Sequence, residues 1–98
     1  MVPGYHWTTC INLNDVVVHG IPDSQVIKAG DKVGVDLGMY YKGFHTDTAT
    51  TVICSGPKLQ SGRVTEKFLE AGKRALKEAI KQAKPGKRVM DISRAMQE

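Results

Sequence analysis

Lys32-Val33-Gly34-Val35-Asp36-Leu37-Gly38-Met39-Tyr40-Tyr41-Lys42-Gly43-Phe44-His45-Thr46-Asp47-Thr48-Ala49 alternates residue by residue, and the alternation decides the fold. Val33, Val35, Leu37, Met39 and Tyr41 share one face of a strand, while Gly34, Asp36, Gly38 and Tyr40 share the other. Lys42-Gly43 supplies a two-residue turn, and the chain returns through Phe44 to about Cys54 as a β-hairpin. That register sets Gly38 against Asp47 and Asp36 against Ala49. Both carboxylates then lie on one face as diagonal neighbours, roughly 7–8 Å apart at the backbone. The spacing is too wide for a shared proton. It suits two side chains that reach for one or two metal ions.

Upstream of the hairpin, Thr8 to Asn12 alternates in part. Val16-Val17-Val18 is a β-branched, buried-looking run that Gly20-Ile21-Pro22-Asp23 breaks, which sets His19 at a strand end. Lys28-Ala29-Gly30-Asp31 reads as a turn into the hairpin, and Gly56-Pro57 ends the returning strand. From about Ser61 to Lys84, residues Val64, Phe68, Ala71, Ala75, Leu76, Ala79, Ile80 and Ala83 recur at three- and four-residue steps. This is the stripe of an amphipathic helix, with a Glu70–Arg74 pair on its outer face. Pro85-Gly86 stops it, and a second helix begins near Val89 or Met90 with Ile92 and Met96 inward. The expected class is α+β, strand-rich over 5–55 and helical over 61–98. An antiparallel hairpin sheet is packed against one long and one short helix.

A length of 98 residues makes one small domain at most. Hydrophobic residues at 41% and charged ones at 24% fit a soluble globular chain. No apolar run approaches the ~20 residues that span a bilayer. The opening Met1-Val2-Pro3-Gly4-Tyr5-His6-Trp7 has neither a basic nor an apolar signal region. Cys10 and Cys54 lack CxxC or zinc-finger spacing and read as free thiols in a reducing cytoplasm. Most of the +4 net charge lies between Lys67 and Arg88. It reads as a solvated helix face rather than a specific nucleic-acid surface, and is compatible with contact with an anionic assembly such as a ribosome.

The chemistry centres on Asp36. A carboxylate in a β-branched strand is disfavoured by propensity and costly to bury unpaired. Gly34 and Gly38 on the same face weaken a strand unless something must approach closely. Oxygen donors favour hard or borderline divalent ions such as Mn²⁺, Fe²⁺, Co²⁺ or Zn²⁺. Two ions bridged by carboxylates lower the pKa of a shared water and polarise a carbonyl, which is what amide hydrolysis needs. Acid–base catalysis without metal is the rival use of the pair, but the hairpin offers no apolar pocket to raise either pKa. His19 is suited to donate a hydrogen bond to a substrate carbonyl or tetrahedral oxyanion. By pattern alone, Tyr5, Trp7 and Cys10 read as core.

Asn14-Asp15-Val16-Val17-Val18-His19-Gly20-Ile21-Pro22, then Gly34-Val35-Asp36, then Gly43-Phe44-His45-Thr46-Asp47-Thr48 resembles the type I methionine aminopeptidases, metallopeptidases of the pita-bread fold. The resemblance runs from about Tyr5 to Gln97, and the His-Gly-Ile-Pro element separates it from the type II enzymes, prolidases and creatinases. It implies two divalent metal ions, with Asp36 chelating and Asp47 bridging them, and His19 touching the substrate near the scissile amide. Tyr5 and Cys10 then line the pocket for the methionine side chain. The implied activity is removal of the N-terminal methionine from nascent proteins in the cytoplasm. In this family a further histidine and two glutamates from a second, pseudo-symmetric half complete the site. Residues 1–98 therefore correspond to a single partial domain, half of a pita-bread fold, with two of five ligands and no activity expected alone. Gly38 departs from the threonine common beside the metals. The alternative reading is a non-catalytic binding module on the same fold.

Overall fold

The computed structural model describes residues 3–56 and 63–98, with backbone alone at 63. They fall in two compact units, Met1–Gln60 and Ser61–Glu98. The first is an antiparallel sheet of β1 (Cys10–Leu13), β2 (Lys32–Tyr41) and β3 (Phe44–Ile53), in the order β1-β2-β3. Lys42 at φ 48° and Gly43 at φ 86° are both left-handed, as a type I′ turn requires, and its twist matches that of the strands it joins. The expected register holds, with Asp36 opposite Ala49 and Gly38 opposite Asp47. At the far end the Cys54 amide donates to the Asp31 carbonyl and the Gly30 amide to the Cys54 carbonyl, both at 2.8 Å. Gly30 turns there at φ 96°, and the Asp31 carboxylate accepts the Lys28 amide at 2.8 Å and the Asn14 side-chain amide at 3.1 Å. The predicted Lys28–Asp31 turn is thus in place.

β1 lies along β2 with Cys10 opposite Asp36, Asn12 opposite Gly34 and Leu13 opposite Val33. Val33, on the central strand between Leu13 and Val52, is 6% exposed. The Val16–Val18 run is not the buried strand its composition suggests. β1 ends at Leu13, Asn14 turns the chain at φ 50°, and Val17 stands 85% exposed. The reason lies in pairing. Asn14 uses its backbone amide on the Lys32 carbonyl (2.9 Å) and its Oδ1 on the Lys32 amide (3.0 Å). That closes the β1–β2 ladder, and among the described residues no strand pairs with the three valines that follow.

The second unit contains α1 (Arg63–Gln82) and α2 (Val89–Gln97), which pack on each other. The predicted start at Ser61 and the terminator Pro57 lie outside the described residues. Past Gln82 the Ala83 amide folds back onto Ile80 O at 3.0 Å, and Gly86 turns at φ 85°. Asp91, in the first turn of α2, accepts the Arg88 amide at 2.9 Å. Ala79 of the predicted stripe is 4% exposed, but Phe68 is 70% exposed, and Val64, Leu76 and Ile80 are exposed with it. Ile92 is half-buried, and Met96 is exposed against the inward position expected of it. Periodicity sets which residues share a face, whereas exposure depends on what packs against that face. On α1 Lys81 pairs with Glu78 at 2.6 Å, whereas the expected Glu70–Arg74 pair is not formed. Among the described residues no helix is long and apolar enough to cross a membrane.

Candidate metal centre

Partners across an antiparallel ladder project to the same side. One face of this sheet therefore carries Asn12 and Cys10 from β1, Gly34, Asp36, Gly38 and Tyr40 from β2, and His45, Asp47 and Ala49 from β3. An open groove of about 800 Å³ runs over it, with Asp36, Asp47, Cys10 and Tyr5 all in its lining. Asp36 is half-buried and Asp47 exposed. Among the described residues neither carboxylate accepts a hydrogen bond or joins an ion pair. Their lone pairs are therefore open to a ligand.

Tyr5 is held on the rim by its hydroxyl, which lies 2.8 Å from the Thr9 carbonyl and 3.1 Å from the Gly20 carbonyl. The Tyr5 ring lines the groove. A hydrogen bond with the Cys10 side chain pushes its pKa up to about 12, assisted by loss of solvent and by the charges of Cys10 and Asp36. Trp7 meets the Tyr5 ring edge-on at 5.1 Å and is itself exposed. The three residues that looked like core by pattern are groove wall instead.

The glycines of the face have an explanation different from ligand approach. A methyl on Gly34 would stand 3.3 Å from Asn12 Cβ, and one on Gly38 would stand 2.8 Å from the Thr46 carbonyl oxygen. What comes close is the protein itself. Beside Gly38 the Thr46 hydroxyl accepts the Met39 amide at 3.1 Å.

His19 is the predicted site residue that the groove does not include. It is exposed in the loop after β1 at φ 57°, not at a strand end. It is tied to the site through its neighbour, because Gly20 O accepts the Tyr5 hydroxyl. His45 and Tyr40 were not singled out, yet their rings lie 4.7 Å apart in the same wall. The signal was available, since His45 is two residues from Asp47 and hence on its face.

Two aspartates suit a hard or borderline divalent ion, which prefers oxygen donors. Among the described residues no group of three or more His, Cys, Asp or Glu is gathered tightly enough to hold one. The donor set thus fits a divalent ion as part of a coordination sphere rather than the whole of one.

Residues 1–98 match metallopeptidase family M24, and the chain belongs to that family, whose members use divalent metal. It is similar to the methionine aminopeptidase of Aquifex aeolicus, 45% identical over 95 residues that make up 96% of this chain and 35% of that protein. Methionine aminopeptidase 1 of Bacillus subtilis is 36% identical over 94 residues, 96% of this chain and 36% of its own length. The crystal structure of the Thermotoga maritima methionine aminopeptidase superposes with a TM-score of 0.78 at 36% identity, over 89% of this chain and 34% of that one. The chain thus spans about a third of the length of these relatives. The α+β, pita-bread class expected from the sequence is that of the neighbouring structures.

Proposed function

We propose that this chain contributes the metal-holding hairpin of a methionyl aminopeptidase, which removes the N-terminal methionine from nascent proteins in the cytoplasm. The observation that carries this reading is the register that puts Asp36 and Asp47 on one face of a groove in a chain 45% identical to a methionine aminopeptidase. Asp36 and Asp47 would hold two divalent ions, Co, Mn, Fe or Zn, as the resemblance implies. Bound there, the ions would supply an activated water and a polarised carbonyl at neutral pH. The chain's own groups do the rest. The Tyr5 ring and Cys10 wall the space for the methionine side chain and exclude water from it. His19 donates a hydrogen bond beside the scissile amide, where negative charge develops on the carbonyl oxygen. Residues 1–98 would make up part of that enzyme's catalytic domain. With two of the five ligands the resemblance implies, the isolated chain binds metal weakly and hydrolyses nothing. N-terminal Met peptides are the partners, with the ribosome nearby; no membrane or specific nucleic acid is involved.

The test replaces the matching third of the Aquifex aeolicus enzyme with this chain and follows methionine release from a Met-Ala-Ser peptide. The hybrid should release methionine with added Mn²⁺ or Co²⁺, while Asp36→Asn should cut turnover at least about 100-fold, more than loss of a group behind a ligand costs. A hybrid whose turnover and metal content ignore Asp36→Asn sinks the reading. One that binds metal and never releases methionine favours the binding module.

A further inference from the structure

We infer that Asn12 is the positioning residue for His19. Asn12 is the buried polar residue among those described, at 8% exposure. It lies opposite Gly34, on the face that carries Asp36. Because Gly34 has no side chain, the Asn12 side chain lies over it and reaches the loop beyond β1. There Asn12 Oδ1 accepts the Gly20 amide at 2.8 Å, and the Gly20 carbonyl accepts the Ile11 amide at 2.9 Å. Both backbone groups of Gly20 are thus fixed to adjacent residues of one strand. The peptide between His19 and Gly20 then has little freedom.

The consequence falls on His19. Its φ of 57° is a left-handed conformation that a non-glycine residue adopts at a penalty, and it persists only where the surroundings impose it. His19 itself is exposed, so packing on its own side chain does not impose it. The constraint comes from the next residue, through Asn12. A buried side-chain acceptor that satisfies one loop amide is expensive to replace, because its removal leaves the Gly20 amide without its partner. Asn12 touches no groove residue's reacting atoms. Its effect on the site passes through the direction in which the loop presents the imidazole. This role rests on the reading of His19 as a substrate-contacting group, and its test is independent of turnover.

The experiment is NMR of the 98-residue chain without metal, comparing wild type with Asn12→Ala and Asn12→Asp. In the wild type the Gly20 amide should exchange slowly and the His19 backbone shifts should report a left-handed residue. Asn12→Ala should speed Gly20 exchange at least about tenfold and move the His19 shifts toward averaged values, with the amides of β2 still protected. Asn12→Asp keeps an acceptor at Oδ1 and should restore both signatures. The proposal is overturned if Gly20 exchanges in the wild type as fast as Gly43 in the open turn. It is equally overturned if Asn12→Ala leaves Gly20 and His19 unchanged, if β2 loosens in step with Gly20, or if Asn12→Asp restores nothing. The functional reading fails by a different observation, an Asp36→Asn hybrid with unaltered methionine release.

Discussion

Gly20→Ala tests the packing of the loop against β1. A methyl there would fall inside the van der Waals envelope of the Ile11 carbonyl oxygen and 2.7 Å from Asn12 Oδ1. Neither group can yield easily, since one is strand backbone and the other a buried side chain. The loop must lift. Lifting removes the Ile11–Gly20 and Gly20–Asn12 hydrogen bonds, each about 0.5–1.5 kcal/mol net. Residual crowding adds about 1–3 kcal/mol. The stiffer unfolded chain returns about 0.4–1 kcal/mol. The expected loss of stability is about 2–4 kcal/mol. Urea unfolding followed by the fluorescence of Trp7, the single tryptophan, measures it, with sheet circular dichroism as the second probe. The slope m should be unchanged, so the loss reads as a lower midpoint. A shift under about 0.5 kcal/mol, typical of a surface change away from such contacts, would refute the close approach of the loop to β1.

Three further outcomes are expected. Gly38→Thr brings its Cβ against the Thr46 carbonyl and should cost about 1–2 kcal/mol by overpacking; an unchanged melting temperature would show that the strands have room. Lys42→Asn keeps the left-handed φ of 48° with a residue that tolerates it and should gain about 0.5 kcal/mol, net of the lost Lys42–Tyr41 ring contact. Calorimetry would show the gain, and a lower melting temperature would count against the turn assignment. The third concerns acid. The Lys28 amide first, and then the Asn14 side chain, hold the Asp31 carboxyl below its usual range. A depressed folded pKa stabilises at pH above the unfolded value of about 3.9, and that contribution is lost as pH falls through the folded value. Asp31→Asn should therefore flatten the decline of the urea midpoint below about pH 4. Parallel declines for the two proteins would contradict the assignment.

The hairpin and both helices were legible because their determinants are local. Period-two alternation, a Lys42-Gly43 pair and a Pro85-Gly86 stop each act within a few residues, and so Asp36 and Asp47 could be placed on one face from sequence. What escaped depends on contacts distant in the chain. Val16–Val18 has strand composition, but whether a strand forms depends on a neighbour, and Asn14 had already turned the chain away. Nothing local marks Asn12 as the residue that holds Gly20, eight positions on. His19 was assigned by its motif, and the motif carries no information on which side of the groove wall the loop falls. Phe68 and Met96 could be given a helix face from sequence but not a degree of exposure, because amphipathicity is a property of a helix and burial is a property of its partners.

The type I′ turn at Lys42-Gly43 has a genetic meaning as well as a geometric one. Inserting or deleting a single residue there reverses the side on which every residue of β3 projects relative to β2. Asp47 lies four residues beyond Gly43, roughly 13 Å along the strand, and would leave the face of Asp36 with both carboxylates intact. Substitutions at the tip are tolerable and indels are not. The length of this loop, more than its composition, thus keeps the two aspartates on one face, and an in-frame gain or loss of a single codon there should part them without altering either.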